Sequence, residues 1–204
     1  MGILSSSLSI TQYRVEGALQ EPVIETVFKG LKKHAIEDID NESSDKAIGW
    51  SNFGDPFEPQ IDQSSFLIGT HFAFSMRIDK KTIPNKIIQK HYARDMKKRL
   101  EASGREFLSK KEKKEIKDNV VHMLSMRIPA TPNIYDIIWN YEAGKIWFFS
   151  NLKGANEALE TLFARSFKLN LIRLFPYSMA VLTSQLSDSE KDAIVILPAT
   201  KFNN

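Results

Sequence analysis

Phe72, Phe74, Met76 and Ile78 alternate with His71, Ala73, Ser75, Arg77 and Asp79, the clearest period-two pattern in the chain. It predicts a half-buried antiparallel strand. Ile10, Thr11, Tyr13 and Val15 recur before the turn-former Gly17, so Leu8–Glu16 reads as an earlier strand. Pro22 then opens a helix, because Ile24, Val27, Phe28, Leu31 and Ala35 fall on one face at helical spacing. The stretch Glu37–Asp45 is acidic and poor in apolar residues. After Gly49-Trp50 the Pro/Asp/Gly-containing segment Gly54–Gln63 reads as a surface loop.

Pro84 starts a long helix that runs to about Ala102, where Ser103-Gly104 supplies a stop. Ser109 followed three residues later by Glu112 is a capping-box pattern. A second helix is therefore expected from Lys110 to about Met126, ending before Pro129. Two apolar runs follow, Ile134–Tyr141 and Lys145–Ser150, joined through Glu142-Ala143-Gly144 as a β-hairpin with glycine placed for a positive φ. Asn151 is the expected cap of a helix over Gly154–Phe167, Leu169–Phe175 alternates as a last strand, and Pro176–Leu186 reads as a short last helix.

The order is β-α-β-β, then α-α, then β-β-α-β. This predicts an α+β fold in which two sheet-and-helix modules flank an inserted helical hairpin. The expected division is 1–80 for the first module, 81–130 for the hairpin and 131–204 for the second module with its short last helix.

Composition narrows the function classes. With 42% apolar residues the chain of 204 has enough to build a core. No cysteine is present, so disulfide frameworks, thiolate metal sites and cysteine nucleophiles are excluded, which suits a reducing cytoplasm. No run of 18 or more apolar residues occurs, and the N-terminal Met1–Leu8 lacks the charged and apolar parts of an export signal. A cytoplasmic protein with no membrane partner is expected.

The charge is small overall but unevenly placed. Between residues 79 and 118 there are fourteen basic and seven acidic side chains, a segment of +7 in a chain of +3. At about 100° per residue, Lys86, Lys90, Arg94, Lys97 and Lys98 share one side of the first hairpin helix, opposite Ile88, Tyr92, Ala93, Met96 and Leu100. On the second helix Lys110, Lys114 and Lys117 form a stripe that Glu112, Glu115 and Asp118 partly neutralise. Two readings compete. One is a rail of cations along a nucleic-acid backbone, without base readout, since lysine outnumbers arginine and no groove-reading motif is present. The other is a solvated helix pair laced with i,i+4 ion pairs, which composition alone favours.

At these residues the chain resembles the RdgC family of bacterial recombination-associated DNA-binding proteins. The resemblance is best from Lys80 through Leu162: Lys81-Thr82-Ile83-Pro84, the lysine-rich Leu108–Lys117, then Lys117-Asp118-Asn119-Val120-Val121-His122 leading to Arg127, and Trp139–Ile146 into Ala155–Leu162. A weaker echo lies at Ile48-Gly49-Trp50. The resemblance implies a nucleoid-associated, ring-like or horseshoe homodimer whose positive inner surface encloses double-stranded DNA and restrains a recombinase. The expected DNA-binding residues are Lys80, Lys81, Lys86, Lys90, Arg94, Lys97, Lys98, Lys110, Lys111, Lys114, Lys117 and Arg127. Familiar members continue past the position of Asn204, so the part that helps close the ring is expected to be missing. Where they often read L-P-R-A-F, this chain reads Ser125-Met126-Arg127-Ile128-Pro129, which keeps the arginine and lacks an aromatic residue for a tip contact.

Family members have been labelled exonucleases, so a metal-dependent nuclease is one alternative, and a protein-docking module using the basic hairpin is another. Two-metal cleavage needs converging carboxylates. The one dense cluster, Glu37-Asp38-Ile39-Asp40-Asn41-Glu42 with Asp45, reads as a solvated loop. His34, His71, His91 and His122 stand in no catalytic motif, and no phosphate-binding glycine loop occurs. No catalytic, metal or cofactor residues are therefore expected. Trp50, Trp139, Trp147, Phe148 and Phe149 are candidates for stacking on unpaired bases, although strand aromatics more often build a core.

Overall fold

The computed structural model describes residues 7–58, 60–62 and 65–197. Residues 1–6, 59, 63, 64 and 198–204 lie outside these, and with them most of the N-terminal stretch, parts of the surface loop and the last residues of the expected 131–204 module considered above. The strands are β1 Thr11–Glu16, β2 Lys46–Asn52, β3 Leu67–Ile68, β4 His71–Lys80, β5 Thr131–Asn140, β6 Lys145–Phe148 and β7 Asn170–Leu174. The helices are α1 Val23–Lys33, α2 Asn85–Ser103, α3 Lys110–Ser125, α4 Lys153–Phe167, α5 Pro176–Thr183 and α6 Asp188–Val195. None of these helices is long and apolar enough to cross a membrane.

The fold is α+β, and all seven strands join one antiparallel sheet in the order β2-β4-β5-β6-β1-β7, with β3 beside β4. The first strand, β1, lies between β6 and the last strand, β7, so the first and last strands are neighbours in the sheet. The β5–β6 turn forms as its residues predict, with Gly144 at φ 59°.

α1 and α4 cover one face. Trp50 packs edge-on to Phe74 and near Phe167, and its indole Nε1 donates to Ser166 Oγ on α4 at 2.7 Å. Trp139 meets Phe163 and Phe167. The Tyr13 hydroxyl donates to Asn156 Oδ1 at 2.6 Å and lies 2.9 Å from Glu160. Burial, with that carboxylate beside it, holds the phenol's pKa well above its ordinary range.

Three expectations change. β4 is covered on both faces rather than half-buried: Ala73, Ser75 and Asp79 are buried as well as Phe72, Phe74, Met76 and Ile78. On the face away from the helices Ser75 donates to Asp136, Arg77 pairs with Asp79, and the Phe57 ring lies over the Arg77 guanidinium. Asn151 is not the cap of α4. That position is Leu152, whose carbonyl accepts from the Ala155 and Asn156 amides. A further helix, α6, follows α5.

Gly49 in β2 marks a close approach. The chain after α1 runs beside β2, with Ile36 N–H donating to Trp50 O at 2.9 Å and Trp50 N–H to His34 O at 2.8 Å. A Cβ at Gly49 would sit 2.5 Å from the Ile36 backbone. Gly49→Ala is accordingly expected to cost about 1–3 kcal/mol through overpacking against the main chain, read as a lowered thermal midpoint. An unchanged midpoint would show that this segment moves aside freely.

Candidate nucleic-acid interface

β4 and β5 are hydrogen-bonded neighbours whose register closes at Lys80↔Thr131. α2 and α3 are therefore the loop of a long β-hairpin, replacing a tight turn by two packed helices. α2 buries no residue, and α3 is buried only near its end, at Val120, Leu124 and Ser125. A helix of 19 residues is about 28 Å long. The unit is thus an arm joined to the sheet at its base.

Local sequence builds the arm as expected. Gly104 caps α2 in the left-handed conformation. Glu112 N–H donates to Ser109 Oγ at 3.2 Å and Ser109 N–H to Glu112 Oε2 at 2.9 Å, closing the capping box. Arg105 adds a bond to Glu112 at 2.5 Å. The Ser109 amide first, and then Arg105, hold the Glu112 carboxyl down to about 2. A depressed folded-state pKa gives stability that is complete above the ordinary carboxylate range, near 4.5, and is lost as pH falls through about 2. Wild type is therefore expected to exceed Glu112→Gln in helicity above that range, with the gap closing on acidification. A pH-independent gap would contradict this.

On α2 the sidedness holds: Lys86, Lys90, Arg94 and Lys97 are exposed, while Ile88, Tyr92, Met96 and Leu100 are half-buried. Ala93, expected on the apolar side, is exposed. Lys98 and Arg99 line a groove of about 360 Å³ between α2 and α3, together with Asp95, Glu112 and Glu115, so their charge is locally opposed. Lys110, Lys111, Lys114 and Lys117 are exposed along α3, and Lys80 and Arg127 are exposed at the base. Lys46 was missed. It stands opposite Lys80 in the β2–β4 ladder and extends the basic surface onto the sheet edge, a pairing that only the register reveals.

Lys81 does not belong with these cations. It is 6% exposed, and its ammonium donates to the carbonyls of Asp40 at 3.1 Å, Glu42 at 2.7 Å and Ser125 at 2.6 Å. A buried ammonium with three acceptors is a structural tie, beyond the reach of a phosphate. The acidic stretch 37–45 is correspondingly more than a solvated loop. Asp40 Oδ1 accepts from Ala130 N–H at 2.7 Å, Asp45 O accepts from Lys81 N–H at 2.9 Å, and Ile39 is buried. This loop forms a collar around the base of the arm.

The expected loss of a tip aromatic is also corrected. Ser125–Pro129 lies at the base, whereas the tip between α2 and α3 carries Phe107, 78% exposed. Of the five candidate stacking aromatics, Trp50, Trp139, Phe148 and Phe149 are core, and Trp147 alone is half-buried. Among the described residues no group of three or more His, Asp or Glu side chains is placed to hold a metal ion.

The family model described as "Putative exonuclease, RdgC" matches residues 9–186. The chain belongs to the RdgC family. The RdgC match takes in all seven strands, the helical arm and α5, and ends before α6. Its span includes Ile48-Gly49-Trp50, where Gly49 makes the close approach described above. No curated protein sequence matches the chain.

Proposed function

We propose that the chain binds double-stranded DNA without sequence preference along the exposed cations of its helical arm, and that by occupying duplex it limits the access of a recombinase. One observation carries this reading. Of the fourteen basic side chains between residues 79 and 118, Lys81 is enclosed and only Arg94, Lys97 and Arg105 have a carboxylate partner among the described residues. The other ten are exposed without one. A helix pair stabilised by its own ion pairs would have used them. Lysines arrayed along a rod suit phosphate contact and counterion release, which position a protein on DNA without reading bases.

A homodimer completes the proposal, because one arm about 28 Å long lies along a duplex rather than around it. The nucleoid is the compartment this implies. The RdgC family description favours a second reading, an exonuclease, and the two separate in one experiment. Two end-labelled duplexes of equal length and unrelated sequence are incubated with the protein, with and without Mg²⁺. Equal affinity and intact ends support the binding reading. Metal-dependent loss of label supports the nuclease, and a strong preference for one duplex contradicts non-specific binding. Light scattering that reports only monomer at about 50 μM protein would contradict the dimer.

A further inference from the structure

The sheet face turned away from α1 and α4 carries a second group of side chains suited to nucleic acid. Residues opposite one another in register share a face. One row across the strands reads His71, Asn140, Lys145, Arg14, Ile172, and the next reads Ala73, Ile138, Trp147, Gln12, Leu174.

Arg14 and Lys145 stand directly opposite each other, both exposed, and neither has a carboxylate partner among the described residues. Glu16, two residues along the same face, makes no ion pair with Arg14. Like charges placed opposite in a ladder repel, so this contact is unfavourable until an anion lies between them. Arg77 on the same face is different, being tied to Asp79 and covered by Phe57.

Beside the two cations lies Trp147, its ring stacked on His71 with centroids 6.0 Å apart and planes 28° from parallel. His71 is held in turn by Asn140, 3.3 Å from Nε2, and Thr70, 3.2 Å from Nδ1. Trp50 and Trp139 are in the core, so Trp147 is the one tryptophan a ligand can reach.

We infer that this face is a binding site for an unpaired DNA strand, with backbone phosphate between Arg14 and Lys145 and a base against Trp147. An acidic protein would answer the charge but has no need of the aromatic ring, and a free phosphate leaves the ring unused. Stacking on an aromatic beside cations is how unpaired strands are held without sequence preference. The site rests on the reading that the chain contacts DNA, yet it uses no residue of the arm.

The full chain reports on itself. Titration with dT15 is expected to quench tryptophan fluorescence, and this change disappears in Trp147→Phe. Anisotropy of labelled dT15 then measures affinity. Trp147→Ala is expected to weaken it by about five- to 150-fold, with Trp147→Phe restoring most of the loss. Arg14→Gln with Lys145→Gln lowers the single-strand salt slope by about 1.4. All these variants keep wild-type duplex affinity, and circular dichroism checks that they fold. Absent quenching, quenching that survives Trp147→Phe, or dT15 affinity unchanged in Trp147→Ala overturns the site. Equal quenching by polyglutamate, or tighter binding of rU15 than dT15, overturns the assignment to a DNA strand. In a variant with its arm lysines neutralised, dT15 quenching persists while duplex binding falls. The two readings therefore fail separately.

Discussion

Replacing Lys86, Lys90, Arg94 and Lys97 together by Gln is expected to weaken duplex binding almost equally for unrelated sequences and to reduce the salt slope by about 3.6. Each neutralised phosphate contributes about 0.9 to that slope on B-form DNA. Two of the four have carboxylates at 3.9 Å, Arg94 with Asp95 and Lys97 with Glu101, but at that distance and exposure such pairs contribute little. Because α2 buries none of its residues, the thermal midpoint should hold. A quadruple variant with the wild-type slope would show that this stripe is solvated surface, leaving Lys110, Lys114 and Arg127 as the cations to test next.

Lys81→Met is expected to act differently. Its ammonium satisfies three carbonyls from two separate segments, and each buried polar group left unpaired costs about 1–3 kcal/mol. The loss should reach about 3 kcal/mol, large for one substitution. The collar would loosen and the arm would lose its fixed angle to the sheet, so duplex affinity should fall while the salt slope stays as in wild type, because Lys81 touches no phosphate. Hydrogen exchange should quicken at 122–130. If the slope fell by about one instead, Lys81 would be a phosphate contact. If stability were unchanged, the collar would not hold the arm.

The contrast between these residues shows what a single sequence reveals. The helical arm was legible because its signals are local: Pro84 before α2, Gly104 after it, and Ser109 with Glu112 starting α3. The sidedness of α2 follows from helical geometry and held for Lys86, Lys90, Arg94 and Lys97, whereas Lys98 lines the groove toward α3. Lys81 was indistinguishable from its neighbour Lys80, since its acceptors Asp40 and Glu42 lie about forty residues away. Pairing between distant strands was equally hidden. Nothing near β1 announces that it sits between β6 and β7, and β2, reading Lys-Ala-Ile-Gly-Trp-Ser-Asn, lacks the alternation that made β4 plain. The expectation that β4 is half-buried failed for a related reason. Its second face is covered by the Phe57 segment and by polar pairs, Ser75 with Asp136 and Arg77 with Asp79, so polar residues there are paired rather than exposed.

The affinity of the wild-type chain for random-sequence duplex, measured as a function of salt concentration, tests the central claim most directly. Contact by the α2 cations alone predicts that log K falls linearly with log salt at a slope of about −3.6, steeper if α3 joins, with the same line for unrelated sequences. A slope near zero, or no binding at low salt, would contradict an electrostatic duplex-binding arm.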